Sequence, residues 1–297
     1  MRNGGAIVAG IALVDKPTDW TSHDVVAKSR GLLGTRKVGH SGTLDPGATG
    51  LLILGVGGAT RLLGYLSGMD KTYTGEAVLG TATSTLDAAG DVTGTWDMAG
   101  VTPAEVMAAA KGLTGRIDQV PPMVSAKKVD GKRLHELARD GIEVERKPVS
   151  VDIAQFDVGE PVEPGVYPIT VTCSSGTYIR SLVDDLGTAL GGGAHLRNLR
   201  RHRVGPFDVA DAVPLEALAP ERVLPAVEVF RGRPLVRVDD DDTLRRVRHG
   251  QVLPRDILGI GTDDRSPSWP VVDPAGALIA VYVPHRDGTA KPDLVLT

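Results

Sequence analysis

The segment from Lys37 to Leu54, KVGHSGTLDPGATGLLIL, places a histidine and a single carboxylate within a run of glycines and threonines. Asp45 can act as a covalent nucleophile without a metal or cofactor if its surroundings keep the carboxylate ionised and present it to the substrate. The glycines would let a large ligand approach the backbone, and an arginine from elsewhere could keep Asp45 charged. The alternative interpretation is structural, because Gly and Asp-Pro are typical of a turn before a buried strand.

Other chemistries fit this chain less well. The glycine spacing of Gly42–Thr49 is that of a phosphate-binding P-loop, but Ala48 stands where that motif needs a lysine, and Asp45 would repel phosphates. Gly55–Gly58 lacks the third glycine of a dinucleotide-binding turn, and no G-x-S-x-G nucleophile elbow occurs. Composition alone does not exclude a Ser-His-Asp triad. Cys173 lies in an apolar run and is expected to be a small buried hydrophobic residue.

The formal net charge of the 297-residue chain is −4, which excludes a uniformly basic surface. Binding of nucleic acid would therefore depend on local clusters of Lys and Arg that contact phosphates and release counterions. Two segments have such clusters, SAKKVDGKRLHELAR and HLRNLRRHRVG. Either could instead be an ordinary solvated face.

The cysteine content and the N-terminal segment indicate whether the chain is a disulfide-bonded, metal-binding or membrane protein. The chain has one cysteine and no Cys/His cluster with zinc-ligand spacing, so we expect no disulfide, no metal site and a reducing, cytoplasmic location. The apolar stretch Ala6–Val14 is too short to cross a bilayer and is not followed by a cleavage pattern. It is therefore predicted to be a buried strand.

The elements that must position these residues are short strands interspersed with helices, without regular βαβ alternation. This pattern predicts an α+β domain with a mixed, largely antiparallel central sheet flanked by helices. A capping box, Thr102–Glu105, begins one helix, and Ser22 is expected to cap another. The predicted strands are Ile11–Val14, Leu51–Val56, Val149–Phe156 and Val166–Cys173.

Beyond Phe207 the sequence changes in character. The Pro-rich segment DAVPLEALAPERVLPA predicts a connector, and WPVVDPAGALIAVYV predicts a hairpin closed by Asp273–Gly276. The acidic run Asp239–Asp242 is interpreted as a solvated turn or helix start rather than a metal site. These features divide the chain into a larger domain at 1–215 and a small β-rich module at 230–297.

Several distinctive segments occur in order over roughly residues 11–205. They are LVDKPTDWTSHDVV, GHSGTLDPGATGLLILGVGGATRL, KTYTGEAVLGTAT with STLDAAGD, QVPPMVSAKKVDGKRLHELARDGIEVERKPV and SSGTYIRSLVDDLGTALGGGAHLRNLRR. Together, and in this order, they resemble the TruB family of bacterial tRNA pseudouridine synthases. The small C-terminal module resembles the RNA-binding PUA domain of this family, and the larger domain is expected to have the pseudouridine synthase fold.

The resemblance implies isomerisation of the T-loop uridine at tRNA position 55 to pseudouridine. This reaction breaks the bond between the ribose and N1 of the uracil, turns the base and rejoins it through C5, so no cofactor is needed. By similarity Asp45 is the catalytic nucleophile. Attack on the sugar at C1′ and attack on the base both stay open.

The resemblance also implies roles for residues around the nucleophile. Tyr73 would stack on the flipped uracil and help to remove the C5 proton, and Leu199 would form an apolar wall. Tyr178 would contact the base while Arg180 pairs with Asp45; an extended turn would put these two side chains on one face. His40 would contact the nucleotide or help to displace the T-loop.

The expected partner is the T-arm of tRNA, gripped through loop shape and phosphate contacts. The basic insertion at about 124–148 would close over it. The residues expected to contact RNA are Lys127, Lys128, Lys132, Arg133, Arg197, Arg200 and Arg201. Neither a guide RNA nor an obligate protein partner is expected, because the insertion KKVDGKRLHELARDG is of the bacterial type. The alternatives are a guide-RNA-dependent synthase and a non-catalytic RNA-binding or RNA-folding protein.

Overall fold

The computed structural model describes residues 9–122, 128–129, 132–133, 144–286 and 288–296. Within them five α-helices occur, α1 Ser22–Leu32, α2 Leu63–Ser67, α3 Pro103–Gly112, α4 Ile179–Ala189 and α5 Asp241–Arg248. The strands are β1 Gly10–Lys16, β2 Val38–Ser41, β3 Thr49–Val56, β4 Lys71–Leu79, β5 Thr81–Thr83, β6 Val92–Thr95, β7 Gly115–Gln119, β8 Lys128–Val129, β9 Lys132–Arg133, β10 Val149–Val158, β11 Val166–Cys173, β12 Ala194–Val204, β13 Phe207–Asp208, β14 Val213–Pro214, β15 Leu224–Pro225, β16 Val236–Arg237, β17 Leu253–Pro254, β18 Trp269–Val272, β19 Leu278–Pro284 and β20 Thr289–Val295.

A mixed sheet of 11 strands forms the centre of the larger domain, with the main order β14-β1-β3-β12-β4-β11-β10-β7. Its pairs are antiparallel except β1 with β14 and β3 with β12. Helix α4 packs its apolar side on the sheet core, because its buried residues recur at helical spacing. The predicted α+β class and its largely antiparallel sheet are confirmed.

Strand β3 brings together the segments that build the cavity described below. One edge of β3 pairs with β1. The other edge is divided, since β2 pairs along Ile53–Val56 and β12 pairs at Thr49 and Gly50. Gly50 has φ 103°, and a Cβ there would lie 2.2 Å from the carbonyl oxygen of Arg201, so only glycine permits this approach. The loop between β2 and β3, which carries Asp45, therefore lies against β12.

The local predictions are largely confirmed. The four predicted strands lie within β1, β3, β10 and β11, and the capping box of Thr102 begins α3. The acidic run begins α5, with Asp240 accepting from the Thr243 amide at 2.8 Å. The expected cap of α1 was wrong by one position, because Thr21 is the N-cap and Ser22 faces inward.

The Pro-rich connector is part of the central sheet. Both β14 and β15 pair with β1, and two short 3₁₀ turns lie between them. The C-terminal strands form a separate sheet with the order β16-β18-β19-β20-β17, and the predicted hairpin is β18 with β19. Leu278, Val281 and Leu294 of this sheet share one apolar core with Ile11 and Leu51. The division at 215 and 230 stays a prediction.

The basic insertion is only partly described. Strands β8 and β9 pair with each other, Lys128 opposite Arg133 and Val129 opposite Lys132. The predicted RNA contact Lys127 lies outside the described residues, as does most of the insertion. Across the described ranges, none of the helices has both the length and the apolar character needed to span a membrane.

Candidate active site

The loop that carries Asp45 is held on both sides of the carboxylate. The Ser22 hydroxyl accepts from the Leu44 amide at 2.9 Å and donates to the Leu44 carbonyl at 3.1 Å. On the other side, the Lys16 ammonium donates to the Pro46 carbonyl at 3.0 Å. These bonds join the loop to the start of α1 and the end of β1. The backbone around Asp45 is therefore fixed by two elements that precede it in the chain.

Arg180 forms a two-pronged ion pair with Asp45. Its Nε lies 3.0 Å from Oδ2 of Asp45 and its Nη2 donates to Oδ1 at 3.3 Å. The third nitrogen, Nη1, donates to the Thr85 carbonyl at 2.8 Å. The Arg180 side chain is 5% exposed, whereas that of Asp45 is 40% exposed. The guanidinium is thus buried behind a carboxylate that still faces open space.

A second carboxylate, Asp87, faces the same guanidinium, with its Oδ2 3.6 Å from Nη1 of Arg180. Its other oxygen accepts from the Thr85 hydroxyl and from the Ala89 amide. Sequence reasoning did not assign Asp87 a role, although it lies in the segment STLDAAGD that was matched to the family. The sequence feature that could have pointed to Asp87 was an acidic residue in a Gly- and Ala-rich turn.

The charges around Asp45 act on its pKa in opposite directions. Burial raises the pKa of the Asp45 carboxyl above its ordinary value of 3.8, and the nearby Asp87 carboxylate adds to that rise. The Arg180 guanidinium and the more distant Lys16 ammonium oppose it. The carboxylate is therefore more basic than a solvated aspartate while it stays paired with an arginine.

Asp45 lies on the wall of a cavity of about 250 Å³. The same cavity is lined by Tyr73, Tyr178, Arg180 and Leu199, so these predicted site residues lie together. A second cavity of about 460 Å³ lies beyond Leu199 and Arg180, lined largely by small residues and by Asp87. The carboxylate of Asp45 is accessible to a ligand between these two spaces.

Tyr178 and Arg180 reach the cavity in a way that differs from the prediction. The turn is not extended across both residues, because α4 begins at Ile179 and Arg180 lies in its first turn. Tyr178 precedes the helix, and Gln119 of β7 bonds both its amide and its carbonyl, at 3.0 and 3.3 Å. The two side chains therefore meet at the cavity through a helix start.

Arg201 lies in the interior rather than on the surface, and its predicted contact with RNA stays a prediction. The residue is fully buried, and its guanidinium donates to the carbonyl oxygens of Leu51 at 2.8 Å and Gly42 at 3.0 Å. Its charge also lies near Tyr73, where it opposes the rise in the pKa of the Tyr73 hydroxyl that burial causes. Arg201 is therefore part of the wall behind Tyr73.

An irregular register in β12 explains why the side chains of Arg200 and Arg201 lie in different environments. Between Arg197 and Arg200 the strand gains one residue relative to β4, and Asn198 there has φ 56°. An extra residue reverses which side chains face the core. Leu199 and Arg201 consequently line the cavity, while Arg200 pairs with Asp15 at 2.8 Å.

The predicted RNA contacts Arg197 and Arg200 both have acidic partners. Arg197 pairs with Glu76 at 2.6 Å and with Glu163 at 3.0 Å. Arg200 donates to both carboxylate oxygens of Asp15. Phosphate would have to replace a carboxylate at each position. Their role as phosphate contacts stays a prediction.

His40 lies on β2, outside the linings of both cavities. Its ring packs edge-on against His23, with ring centroids 5.3 Å apart. Burial lowers the pKa of His40 to about 4, so the ring is neutral at physiological pH. Its Nδ1 is buried and meets no hydrogen-bond partner among the described residues. The predicted contact with RNA stays a prediction.

Two buried lysines near the loop were not assigned chemistry from the sequence. Lys16 is fully buried and donates to the carbonyls of Pro17, Trp20 and Pro46. Lys71 lines the cavity of Asp45. Burial lowers the pKa of both ammonium groups to about 8. The sequence feature that could have pointed to Lys71 was its place at the first position of the motif KTYTG.

Comparison with known proteins identifies the family. The family model described as "TruB family pseudouridylate synthase (N terminal domain)" matches residues 30–179, and "tRNA pseudouridylate synthase B C-terminal domain" matches residues 180–225. The boundary between the two models falls at the start of α4, beside Arg180. Together they cover most of the central sheet and all residues that line the cavity of Asp45.

Similar proteins in other organisms cover nearly the whole chain. A protein of Rhodococcus jostii named "tRNA pseudouridine synthase B" is 46% identical over 94% of this chain and 91% of its own length. Proteins of the same name from an Arthrobacter species and from Thermobifida fusca are each 44% identical, over 97% and 96% of this chain and 97% and 98% of their own lengths.

Solved structures share the fold. A chain of a Cbf5-Nop10-Gar1 complex matches with a TM-score of 0.74 and 26% identity, over 98% of this chain and 85% of that chain. A chain of an H/ACA RNP bound to a substrate RNA matches with a TM-score of 0.71 at 24% identity, a likeness of fold alone. Taken with the family models and the identity to the bacterial relatives, these matches show that the chain belongs to the TruB family of pseudouridylate synthases.

Proposed function

We propose that the chain converts the T-loop uridine at tRNA position 55 to pseudouridine, with Asp45 as the nucleophile. A TruB-family pseudouridine synthase is an isomerase, so the reaction needs no redox partner. One observation carries the assignment to Asp45: a partly exposed carboxylate, held by a buried arginine, lies on the wall of a cavity that also contains Tyr73. Its relatives named for tRNA support tRNA as the substrate.

The cavity suits a base that has left its stack. At about 250 Å³ it has room for a uracil ring, with the ring of Tyr73 and the side chain of Leu199 available as apolar surfaces. Extruding a base costs a few kcal/mol of stacking, and stacking on an aromatic ring returns about 1–3 kcal/mol. Asp45 would then lie beside the bond between the ribose and the base.

Arg180 supports the nucleophilic role by keeping Asp45 charged and oriented. Both oxygens of the carboxylate accept from the guanidinium, so the free lone pairs point in a defined direction. The raised pKa makes the carboxylate a better nucleophile than a solvated one, provided that it is ionised. Attack at C1′ and attack on the base are both compatible with this arrangement.

The properties of Tyr73 favour a role in stacking on the base over a role in removing a proton. Burial raises the pKa of its hydroxyl, with the Arg201 guanidinium opposing the rise. The hydroxyl therefore stays protonated at physiological pH and is a weak base. We assign Tyr73 the stacking role, and we place the enzyme in the cytoplasm with its tRNA substrate.

The test uses the purified chain and an unmodified tRNA transcript without guide RNA. Pseudouridine at position 55 is expected in the wild type, measured by nuclease digestion and mass spectrometry. Asp45→Asn is expected to abolish turnover and to keep tRNA affinity within a few-fold, because the amide has the size but not the charge of the carboxylate.

Three results would contradict the proposal. Turnover by Asp45→Asn would remove Asp45 from the nucleophilic role. Activity that depends on an added guide RNA would assign the chain to the guided class. Binding of tRNA by a wild type that never modifies it would indicate an RNA-binding protein without catalysis.

A further inference from the structure

Two buried cations, Lys71 and Arg201, meet at the floor of the cavity of Asp45. Lys71 is 7% exposed and Arg201 is fully buried, and both line that cavity. A Cβ built on Gly42 would lie 3.4 Å from Nη1 of Arg201 and 3.4 Å from Cε of Lys71. The two side chains therefore approach each other across the backbone of the loop that carries Asp45.

In the part of the chain that the structure describes, the hydrogen-bond partners of both cations are uncharged. Lys71 donates to the carbonyl oxygens of Ser67 at 3.1 Å and Met69 at 2.6 Å, which leaves one of its three N–H groups for another acceptor. Arg201 donates to the backbone carbonyls of Leu51 and Gly42. Buried like charges without a carboxylate between them are costly, and a bound anion would compensate them.

We propose that Lys71 holds the uracil ring after it separates from the ribose, with Arg201 reinforcing the positive field behind it. The inference rests on the proposed function. The C1′–N1 bond breaks with its electron pair left on the uracil, and the Asp45 carboxylate bonds to C1′. The ring turns, C5 attacks C1′ as the Asp45 oxygen leaves, and a base removes the C5 proton.

The charge on Lys71 matters because the released uracil carries the negative charge on N1 and its two carbonyl oxygens. A fixed ammonium in an enclosed cavity stabilises that charge at the moment when it develops, without reorganisation. It would also hold the ring in the cavity while it turns. Lys71 would thus be a catalytic residue that touches the base, and Arg201 a positioning residue behind it.

The neighbours of Lys71 predict an alkaline limit to the reaction. Burial, with the Arg201 guanidinium from β12, lowers the pKa of Lys71 to about 8, and Asp70 beside it opposes this shift only weakly. The Cys173 thiol from β11 is neutral there, because burial raises its pKa to about 11. The rate should therefore fall as the pH rises through about 8 and Lys71 loses its proton.

The experiment compares Lys71→Gln with the wild type on T-arm RNA under single-turnover conditions at pH 6.5. Glutamine keeps N–H donors for the two carbonyls but removes the charge. The expected result is a rate about 100-fold lower, with RNA affinity changed less than threefold. Lys16→Gln is the comparison variant, because Lys16 is also buried, has a similarly lowered pKa and lines neither cavity, so any defect would come through its contact with the Asp45 loop.

The same comparison on RNA with 5-fluorouridine at the target separates chemistry from structure. Fluorine stabilises the departing base anion, so this substrate needs less help from Lys71. The defect of Lys71→Gln, followed by loss of the parent nucleoside, should shrink to about 10-fold. Any defect of Lys16→Gln should be the same for the two substrates, since its effect would be through the loop.

Lys71→Arg provides a further measurement if Lys71→Gln does not fold. Arginine keeps the charge at all working pH values, so this variant should retain turnover and lose the alkaline limb near pH 8. An alkaline limb that persists in Lys71→Arg would overturn the inference. Equal defects of Lys71→Gln on both substrates, or equal losses of affinity and rate, would also overturn it. If the wild type forms no pseudouridine in tRNA, the proposed function fails as well.

Discussion

At the residue scale, the site depends on how one arginine divides its contacts between two carboxylates. Arg180 bonds Asp45 through two nitrogens and faces Asp87 with the third. The motif GTYIR made an arginine partner for Asp45 predictable through the family. Asp87 was not predictable, because the 92 intervening residues give no sign that residue 87 reaches the first turn of α4 beside residue 180.

The pH dependence of kcat/KM should show how Arg180 and Asp87 act on the pKa of Asp45. As the proposed nucleophile, Asp45 would have to be ionised to attack, so kcat/KM should fall as the pH drops through its pKa, which burial places above 3.8. Arg180→Met removes the guanidinium that opposes the rise, so the acid limb should move to higher pH and the rate should drop. The measurement is kcat/KM from pH 4 to 8.

Asp87→Asn is the matched control for this prediction. Asp87 raises the pKa of Asp45, so its neutralisation should move the acid limb to lower pH, opposite to Arg180→Met. Shifts of both variants in the same direction would mean that the limb reports another group. An unchanged limb in both would exclude Asp45 as its source.

At the element scale, two adjacent hydroxyl residues at the start of helix α1 make different hydrogen bonds. Thr21 caps the helix, with its side chain accepting from the Asp24 amide at 3.0 Å. Ser22 instead bonds both backbone groups of Leu44, next to Asp45, the proposed nucleophile. The sequence predicts a helix start at this point, since both residue types are good caps. Which hydroxyl faces inward depends on the packing of α1 against the loop.

These two hydroxyls can be separated by mutation. Ser22→Ala leaves a buried amide and carbonyl of Leu44 without their partner, which should cost about 1–3 kcal/mol. The Asp45 loop should also become less precise, lowering kcat about 10-fold to 100-fold. Thr21→Ala should cost about 1 kcal/mol through the lost cap, with turnover close to wild type. Denaturant unfolding and single-turnover rates measure both effects. Loss of turnover in both variants would mean that the whole helix positions the loop.

At the scale of the whole molecule, the small C-terminal sheet is packed onto the central one. Leu294 and Val281 share a core with strands β1 and β3, and Tyr65 donates to Asp293 across the same boundary. Arg61 also donates to the Val295 carbonyl at 2.8 Å. Turn residues between two apolar runs predicted the hairpin of this sheet. Its docking was not predictable, because an apolar strand face does not specify which other face covers it.

The shared core predicts that the two sheets unfold together. Leu294→Ala should destabilise the protein by about 2–4 kcal/mol, because it leaves a cavity between the sheets. Fluorescence of Trp20 and Trp269, each isolated by replacing the other tryptophans, should give coincident denaturant transitions. Val252→Ala, at a residue 47% exposed just before β17, is the control and should change stability by less than about 0.5 kcal/mol. Separate transitions would contradict a common core.

The sequence by itself determined the element types, the loop with Asp45 and, through family motifs, the grouping of Asp45, Tyr73, Tyr178, Arg180 and Leu199. Periodicity and capping are properties of short segments, so the sequence shows them directly. A family motif likewise identifies its functional residues without knowledge of the tertiary structure. Tertiary structure alone decided that Asp87 and Lys71 join the site and that Arg201 is buried. The extra residue in β12 between Arg197 and Arg200 changes which of the next side chains face the cavity, and contacts between distant segments leave no local pattern.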